Sequence, residues 1–292
     1  MDIFGYDFML RAMAGALIVG AVAPAVGVFL VQKRMALIGD GLGHVALTGV
    51  AFGFLTGASP LWTTLAATSA GAVAVELIRS RGKASGDVAL ALLFYGGIAG
   101  GVFVTGLVDG ATVASLNEFL FGSLLTTTAA DLWIIGGLGA VVAALMLALR
   151  RWLAAVCHDE EHARVSGLPV QALNLLLAVT TAATVSVAMR AVGLLLVSAL
   201  LVVPVVTVQQ VTRGFAVTMY AAMAAGFAAA GTGFVTAGLL NVPPGAAIVL
   251  LAVGLFVVVA LGRAMWTGTR RRLMVAEHVV PTPAPRSPVD AA

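Results

Sequence analysis

The chain is short of charge. Only 10% of its 292 residues are Asp, Glu, Lys or Arg, while 61% are apolar, and the mean hydropathy is +1.07. Soluble domains carry about 25% charge, which excludes the one or two ordinary globular domains that ~150 residues per domain would give. Cysteine is nearly absent. Cys157 stands alone, ruling out an intramolecular disulfide and any Cys-based zinc or redox motif. Lysine occurs only at 33 and 83, and Gly82-Lys83 is followed by Ala84. No phosphate-binding loop of the G-x-x-x-x-G-K-[ST] type is therefore present, so the chain has no P-loop for ATP. Neither a G-x-S-x-G elbow nor an H-E-x-x-H helix occurs, and an enzyme reading has little support.

What is present is apolar length. Nine segments read as candidate spans: 12–31, 42–57, 61–78, 88–107, 132–149, 170–188, 191–208, 215–240 and 245–262. About 20 apolar residues cross the hydrocarbon as a helix. Most segments fit; 42–57 is short, and 191–208 follows 170–188 after only Met189 and Arg190. Alternating strand patterns are absent, so the expected fold is all-α, a polytopic integral membrane protein with eight to nine transmembrane helices. The start, MDIFGYDFMLR, is acidic before Arg11 and lacks a basic n-region, so no cleaved signal peptide is expected.

The basic residues report topology. The sequence pI is about 9.5, but 16 Lys and Arg scattered between apolar runs form no basic domain, and no nucleic-acid partner is expected. With the N-terminus outside, 14 of the 16 fall on inner loops: Lys33, Arg34, Arg79, Arg81, Lys83, Arg150, Arg151, Arg164, Arg213, Arg263, Arg270, Arg271, Arg272 and Arg286. Arg11 and Arg190 are the two left outside. Short cytoplasmic loops carry this excess. Residues 150–169 form the most polar internal stretch, on the cytoplasmic side. Residues 108–131 form an irregular outer piece that ends in Thr128 and Asp131, spaced as a capping box. A membrane domain over 1–272 is expected, followed by a Pro-rich, disordered cytoplasmic tail over 273–292.

Few polar groups lie near the spans. Asp40 and His44, in Gly39-Asp40-Gly41-Leu42-Gly43-His44, are four apart and share a helix face. A carboxylate and an imidazole together form an incomplete site for a borderline divalent cation such as Zn2+ or Mn2+. On spacing alone the pattern is a weak signal, and an Asp cap with a hydrogen-bonded core His is the commoner arrangement. His158 and His162 repeat the spacing, yet Asp159, Glu160 and Glu161 between them read as a solvated cytoplasmic face. Glu76, three before Arg79, reads as one half of an ion pair, and Asp87 as a helix N-cap. Pro24, Pro204 and Pro244 lie in or beside spans and can free carbonyls. Gly49, Gly53 and Gly57 recur at four-residue spacing and read as close helix packing.

Five ordered blocks carry a resemblance: Gly27 to Asp40 with His44 and Gly49; Leu120 to Leu125; Asp159, Ala163 and Gly167 as D-x-x-x-A-x-x-x-G; Val187 to Pro204; and Pro244 to Ala247. Together they span about Phe8 to Arg263. The chain resembles the permease subunits of the metal-uptake ABC transporters, the ABC-3 family, whose members import zinc, manganese or iron. The resemblance implies a multi-pass cell-membrane protein embedded in lipid. It further implies a permease homodimer, a separate cytoplasmic ATP-binding subunit that hydrolyses ATP, and an extracytoplasmic metal-binding protein. No permanently bound cofactor is implied. The transported ion is expected to be Zn2+ first and Mn2+ second. Asp40 and His44 would line the metal path, and Asp159, Ala163 and Gly167 would belong to the helix that couples to the ATPase.

Two rivals use the same sequence. A permease for a metal chelate, siderophore or vitamin would not need an Asp–His pair. An ion-coupled secondary metal carrier would need acids or histidines paired across helices, and within the spans only Asp40 and His44 qualify.

Overall fold

Apolar runs of this length become helices because a chain in hydrocarbon must satisfy its backbone groups within itself. The computed structural model describes residues 7–82, 86–107, 128–240 and 242–277, which form eleven helices and no strand. They are α1 (Asp7–Gln32), α2 (Ile38–Thr56), α3 (Pro60–Ser80), α4 (Gly86–Thr105), α5 (Ala129–Ala148), α6 (Arg150–His158), α7 (Glu160–Val165), α8 (Val170–Val192), α9 (Leu194–Gln209), α10 (Phe215–Leu240) and α11 (Pro244–Glu277). Eight of these, α1 to α5, α8, α10 and α11, are long and apolar enough to cross a membrane. The ninth expected segment is α9. Its 16 residues rise about 24 Å at 1.5 Å each, short of the ~30 Å hydrocarbon core.

The joint between α8 and α9 differs from expectation. Met189 and Arg190 do not separate two helices; they lie within α8, which runs on to Val192. One residue, Gly193, separates the two helices, and its φ of 87° is a conformation that side chains with a Cβ avoid. The expected outer segment lies mostly outside the described residues, as does the block Leu120 to Leu125. Its end is described: Thr128 and Asp131 form the expected capping box at the start of α5. Asp87 sits inside the first turn of α4 rather than capping it. Pro24 and Pro204 lie within α1 and α9. Pro244 instead opens α11, where its missing N–H costs nothing. The last helix continues to Glu277, past the expected boundary at 272; residues 278–292 lie outside the described set.

Helices α1 and α8 are the most enclosed, and α4, α5 and α11 are peripheral. Large apolar side chains such as Trp133, Phe103, Tyr95 and Leu250 stay exposed around the outside, the clothing a bundle wears in lipid. Two glycines of the α2 stripe pack as their spacing suggests, while the third, Gly57, has nothing within 4 Å of a Cβ and instead ends the helix at φ 69°. A Cβ on Gly49 would lie 2.6 Å from Thr64 Cα, and one on Gly53 2.9 Å from Pro60 Cα, so α3 packs flush on α2. Charges sort to two ends. Asp131 and Arg190, both assigned outside, pair at 2.7 Å. Lys33, Arg79 and Glu160, all assigned inside, meet at the opposite ends of their helices.

Candidate functional site

Asp40 lies in the first turn of α2, where a negative charge complements the helix dipole. It does not cap the helix. The N-cap is Leu37, with no side-chain capping bond. His44 follows one turn on, and both residues are half-buried. The ring of His44 meets Phe94 edge-on at 4.7 Å between centroids. Among the described residues, no hydrogen bond or ion pair engages the Asp40 carboxylate or the His44 ring nitrogens. The cap-and-core alternative predicts such bonds for both.

The depth of the pair follows from α4. A Cβ on Gly97 would lie 2.7 Å from Val45 N and 2.9 Å from His44 C. Gly97 stands midway along the 20-residue α4, so His44 is level with the middle of a membrane-crossing helix. Thr48 Oγ1 donates to the Gly97 carbonyl at 3.0 Å and clamps the same crossing. On another side of α2, Leu194 and Ser198 of α9 crowd Gly43 and Gly39. The Gly193 break therefore sits beside the turn that carries Asp40 and His44. Sequence reasoning did not anticipate this. The signal was there, since Gly193 is the residue between Val192 and the apolar run Leu194 to Leu196 that can hold a positive φ without strain.

The HDEEH stretch is not a continuous helix. α6 ends at His158, Asp159 is extended (φ −152°), and α7 begins at Glu160. His158 and His162 therefore lie on different helices, and the one-turn metal spacing read from sequence is lost. His158 Nδ1 instead lies 3.4 Å from Gln32 Nε2. Among the described residues, no group of three or more His, Cys, Asp or Glu could hold a metal.

The D-x-x-x-A-x-x-x-G residues shape this segment. Asp159 Oδ1 accepts the His162 N–H at 2.9 Å and caps α7. Ala163 is buried against the bundle. Gly167 ends the turn with φ 82°, a conformation suited to glycine after a helix. The surface left outward belongs to other residues: Glu161, His162 and Arg164 are exposed, and Val165 is 88% exposed.

The segment is also charged inward. Glu160 Oε1 lies 2.9 Å from Lys33 Nζ and 2.8 Å from Arg79 Nη2. Burial works against its charged form, but the hydrogen bonds and charges of Lys33 and Arg79 outweigh it and hold the carboxyl below its usual range. Sequence reasoning found the Glu76–Arg79 pair, at 2.8 Å, but not Glu160, because its partners lie far away in the chain.

The comparisons agree with this architecture. The chain is 33% identical over 257 residues to the "Probable metal transport system membrane protein" of Treponema pallidum (strain Nichols), covering 88% of this chain and 96% of that one. It is 30% identical over 256 residues to the "Manganese transport system membrane protein MntC" of Halalkalibacterium halodurans, with 87% of each covered. Among solved structures it is similar to PsaBC from Streptococcus pneumoniae in complex with Fab. The TM-score is 0.78 and the identity 28%, over 88% of this chain and 92% of the other. The profile of the ABC 3 transport family matches residues 5–263, so by the larger part of its length this chain belongs to that family.

Proposed function

We propose that the chain is the permease of an ABC importer for a first-row divalent metal ion, and that Asp40 and His44 contact the ion on its path. The observation that carries this reading is the unpaired carboxylate and imidazole at one-turn spacing in a membrane-crossing helix. An ionised Asp costs about 2.5–3.5 kcal/mol at the centre of a span on insertion scales, and Asp40 stands one turn from His44, which lies at that depth. Ordinary packing gives no return for leaving it without a partner. Two ligands leave most of a cation's coordination shell open, so the ion is held briefly and released. A homodimer would bring a second copy of the pair.

Carboxylate and imidazole suit Mn2+, Fe2+ and Zn2+ alike. The manganese system named for one relative moves Mn2+ ahead of the Zn2+ preferred on sequence grounds. Hydrolysis of ATP falls to a cytoplasmic ATP-binding subunit, docked on the exposed face of α7 through Val165, Glu161 and Arg164. Delivery falls to an extracytoplasmic metal-binding protein at the end marked by Asp131 and Arg190. Asp40→Ala and His44→Ala should each reduce uptake of radioactive Mn2+ to background while the permease stays abundant in the membrane. The decisive assay is rescue of a deletion strain under manganese, iron or zinc starvation. Normal rescue by His44→Ala at limiting metal would show that the pair is structural.

A further inference from the structure

One carboxylate oxygen ties three helices and the α1–α2 connection together at the end assigned to the cytoplasm. Glu160 Oε1, on α7, accepts from Lys33 Nζ at 2.9 Å, from Arg79 Nη2 at 2.8 Å and from Asn174 Nδ2 at 3.2 Å. Lys33 also donates to Asn174 Oδ1 at 2.5 Å. Arg79 grips Glu76 through two bonds, Nε to Oε2 at 2.9 Å and Nη2 to Oε1 at 2.8 Å. The four charges of the cluster cancel. Lys33 and Glu76 have side chains only 5% exposed, while Glu160 is 31% exposed. Glu160 is thus the member nearest the surface, on the segment proposed to meet the ATPase.

What the cluster connects gives it meaning. Lys33 follows α1 and opens the short connection 33–37 that leads into α2 and Asp40. Its neighbour Arg34 holds φ 59°, a conformation uncommon for a residue with a side chain. Arg79 ends α3, which packs flush against α2 at Gly49 and Gly53. Asn174 lies on the first turns of α8, and α8 leads through Gly193 to the helix beside Gly43. From Glu160, three routes therefore reach the turn carrying Asp40 and His44. The apolar hold of α7 is slight by contrast: Ala163 is its buried residue. A short helix that weakly anchored transmits displacement through its polar bonds.

We propose that Glu160 is a positioning residue for transport, a clasp through which movement of the α6–α7 segment is passed to α2 and its Asp40–His44 turn. The inference rests on the importer reading above. It predicts that neutralising the clasp uncouples metal movement from ATP hydrolysis and does more than weaken the fold.

The test uses the full permease reconstituted with its ATPase and binding protein in proteoliposomes, with Mn2+ as the transported probe. The wild-type complex must first show ATP-driven Mn2+ uptake; if it shows none, the importer reading fails before the clasp is reached. In Glu160→Gln, the number of ions moved per ATP hydrolysed should fall by at least about ten-fold, the size of a typical coupling between sites. Lys33→Arg, which keeps the charge, should retain the wild-type ratio, and Lys33→Met should lose it. Abundance and melting temperature are followed in parallel. If uptake and hydrolysis drop together with an unchanged ratio in Glu160→Gln, the cluster is a structural staple and the proposal is overturned. An unchanged ratio in Lys33→Met, or failure of both neutral variants to accumulate, overturns it equally.

Discussion

Cys157 shows how burial controls a single residue. Burial, helped by the nearby charge of Glu160 and opposed by the cations Lys33 and Arg79, pushes its thiol up to about 11 from 9.0. The thiolate is the reactive form. At pH 8 a thiol at about 11 is ~0.1% ionised, against ~10% at its ordinary 9.0. Alkylation of the native protein should therefore run about 100-fold slower than in SDS. It should speed up about ten-fold per pH unit until pH approaches 11. Maleimide kinetics in both states measure this, and a native rate within about three-fold of the denatured one would contradict the burial. Asp159 makes the same point about context. In the sequence it is one of three solvated acids, whereas in the structure its carboxylate breaks the helix and starts the next. That local bond starts a new helix, so His158 and His162 do not share one.

At the scale of elements, the crossing of α2 over α4 carries the site, and two neighbouring glycines separate packing from mere sequence. A Cβ on Gly97 meets backbone and Cβ atoms of His44 and Val45 at 2.7–3.0 Å, while a Cβ on Gly96 meets nothing within 4 Å. Gly97→Leu must push α2 off α4, an overpacking cost of about 1–3 kcal/mol or more. It should lower the melting temperature in detergent and abolish metal uptake, because His44 moves with α2. Gly96→Leu should leave the melting temperature unchanged. Equal melting temperatures for the two variants would show that the crossing is looser than described. Both glycines sit in Tyr95-Gly96-Gly97-Ile98, and nothing local tells them apart; only the position of α2 does.

Over the whole molecule, the ion pairs join residues that the distribution of Lys and Arg assigns to the same side. Loops assigned to the cytoplasm from charge alone meet through Lys33, Arg79 and Glu160, and Arg263 donates to the Gln210 carbonyl at that same end. Asp131 and Arg190 meet at the other. In a Cys157→Ser background, a cysteine at Val165 should react with an impermeant thiol reagent only after cells are permeabilised. A cysteine at Ser59, in the exposed turn between α2 and α3, should react in intact cells. Gel-shift labelling reads both, and the reverse pattern would invert the topology. Gly167 is a poor site for such substitutions, since its φ of 82° strains any side chain whatever it faces.

The membrane class, the helical fold and most span positions were legible in the sequence, because each follows from properties local to one segment. Twenty apolar residues read the same wherever they pack, and the bias of Lys and Arg survives folding. Local spacing also revealed the Thr128–Asp131 capping box and the Glu76–Arg79 pair, since three residues are one helical turn. The Asp40–His44 pair was visible as a pattern, but its meaning was not. Whether those groups find partners depends on α4 and α9, which are distant in sequence and adjacent in space. The same holds for Glu160, whose partners Lys33 and Arg79 lie far upstream in the chain. A carboxylate held between two cations cannot be recognised until the helices that bring them are packed, because Coulomb and hydrogen-bond energies depend on distance through space and not along the chain.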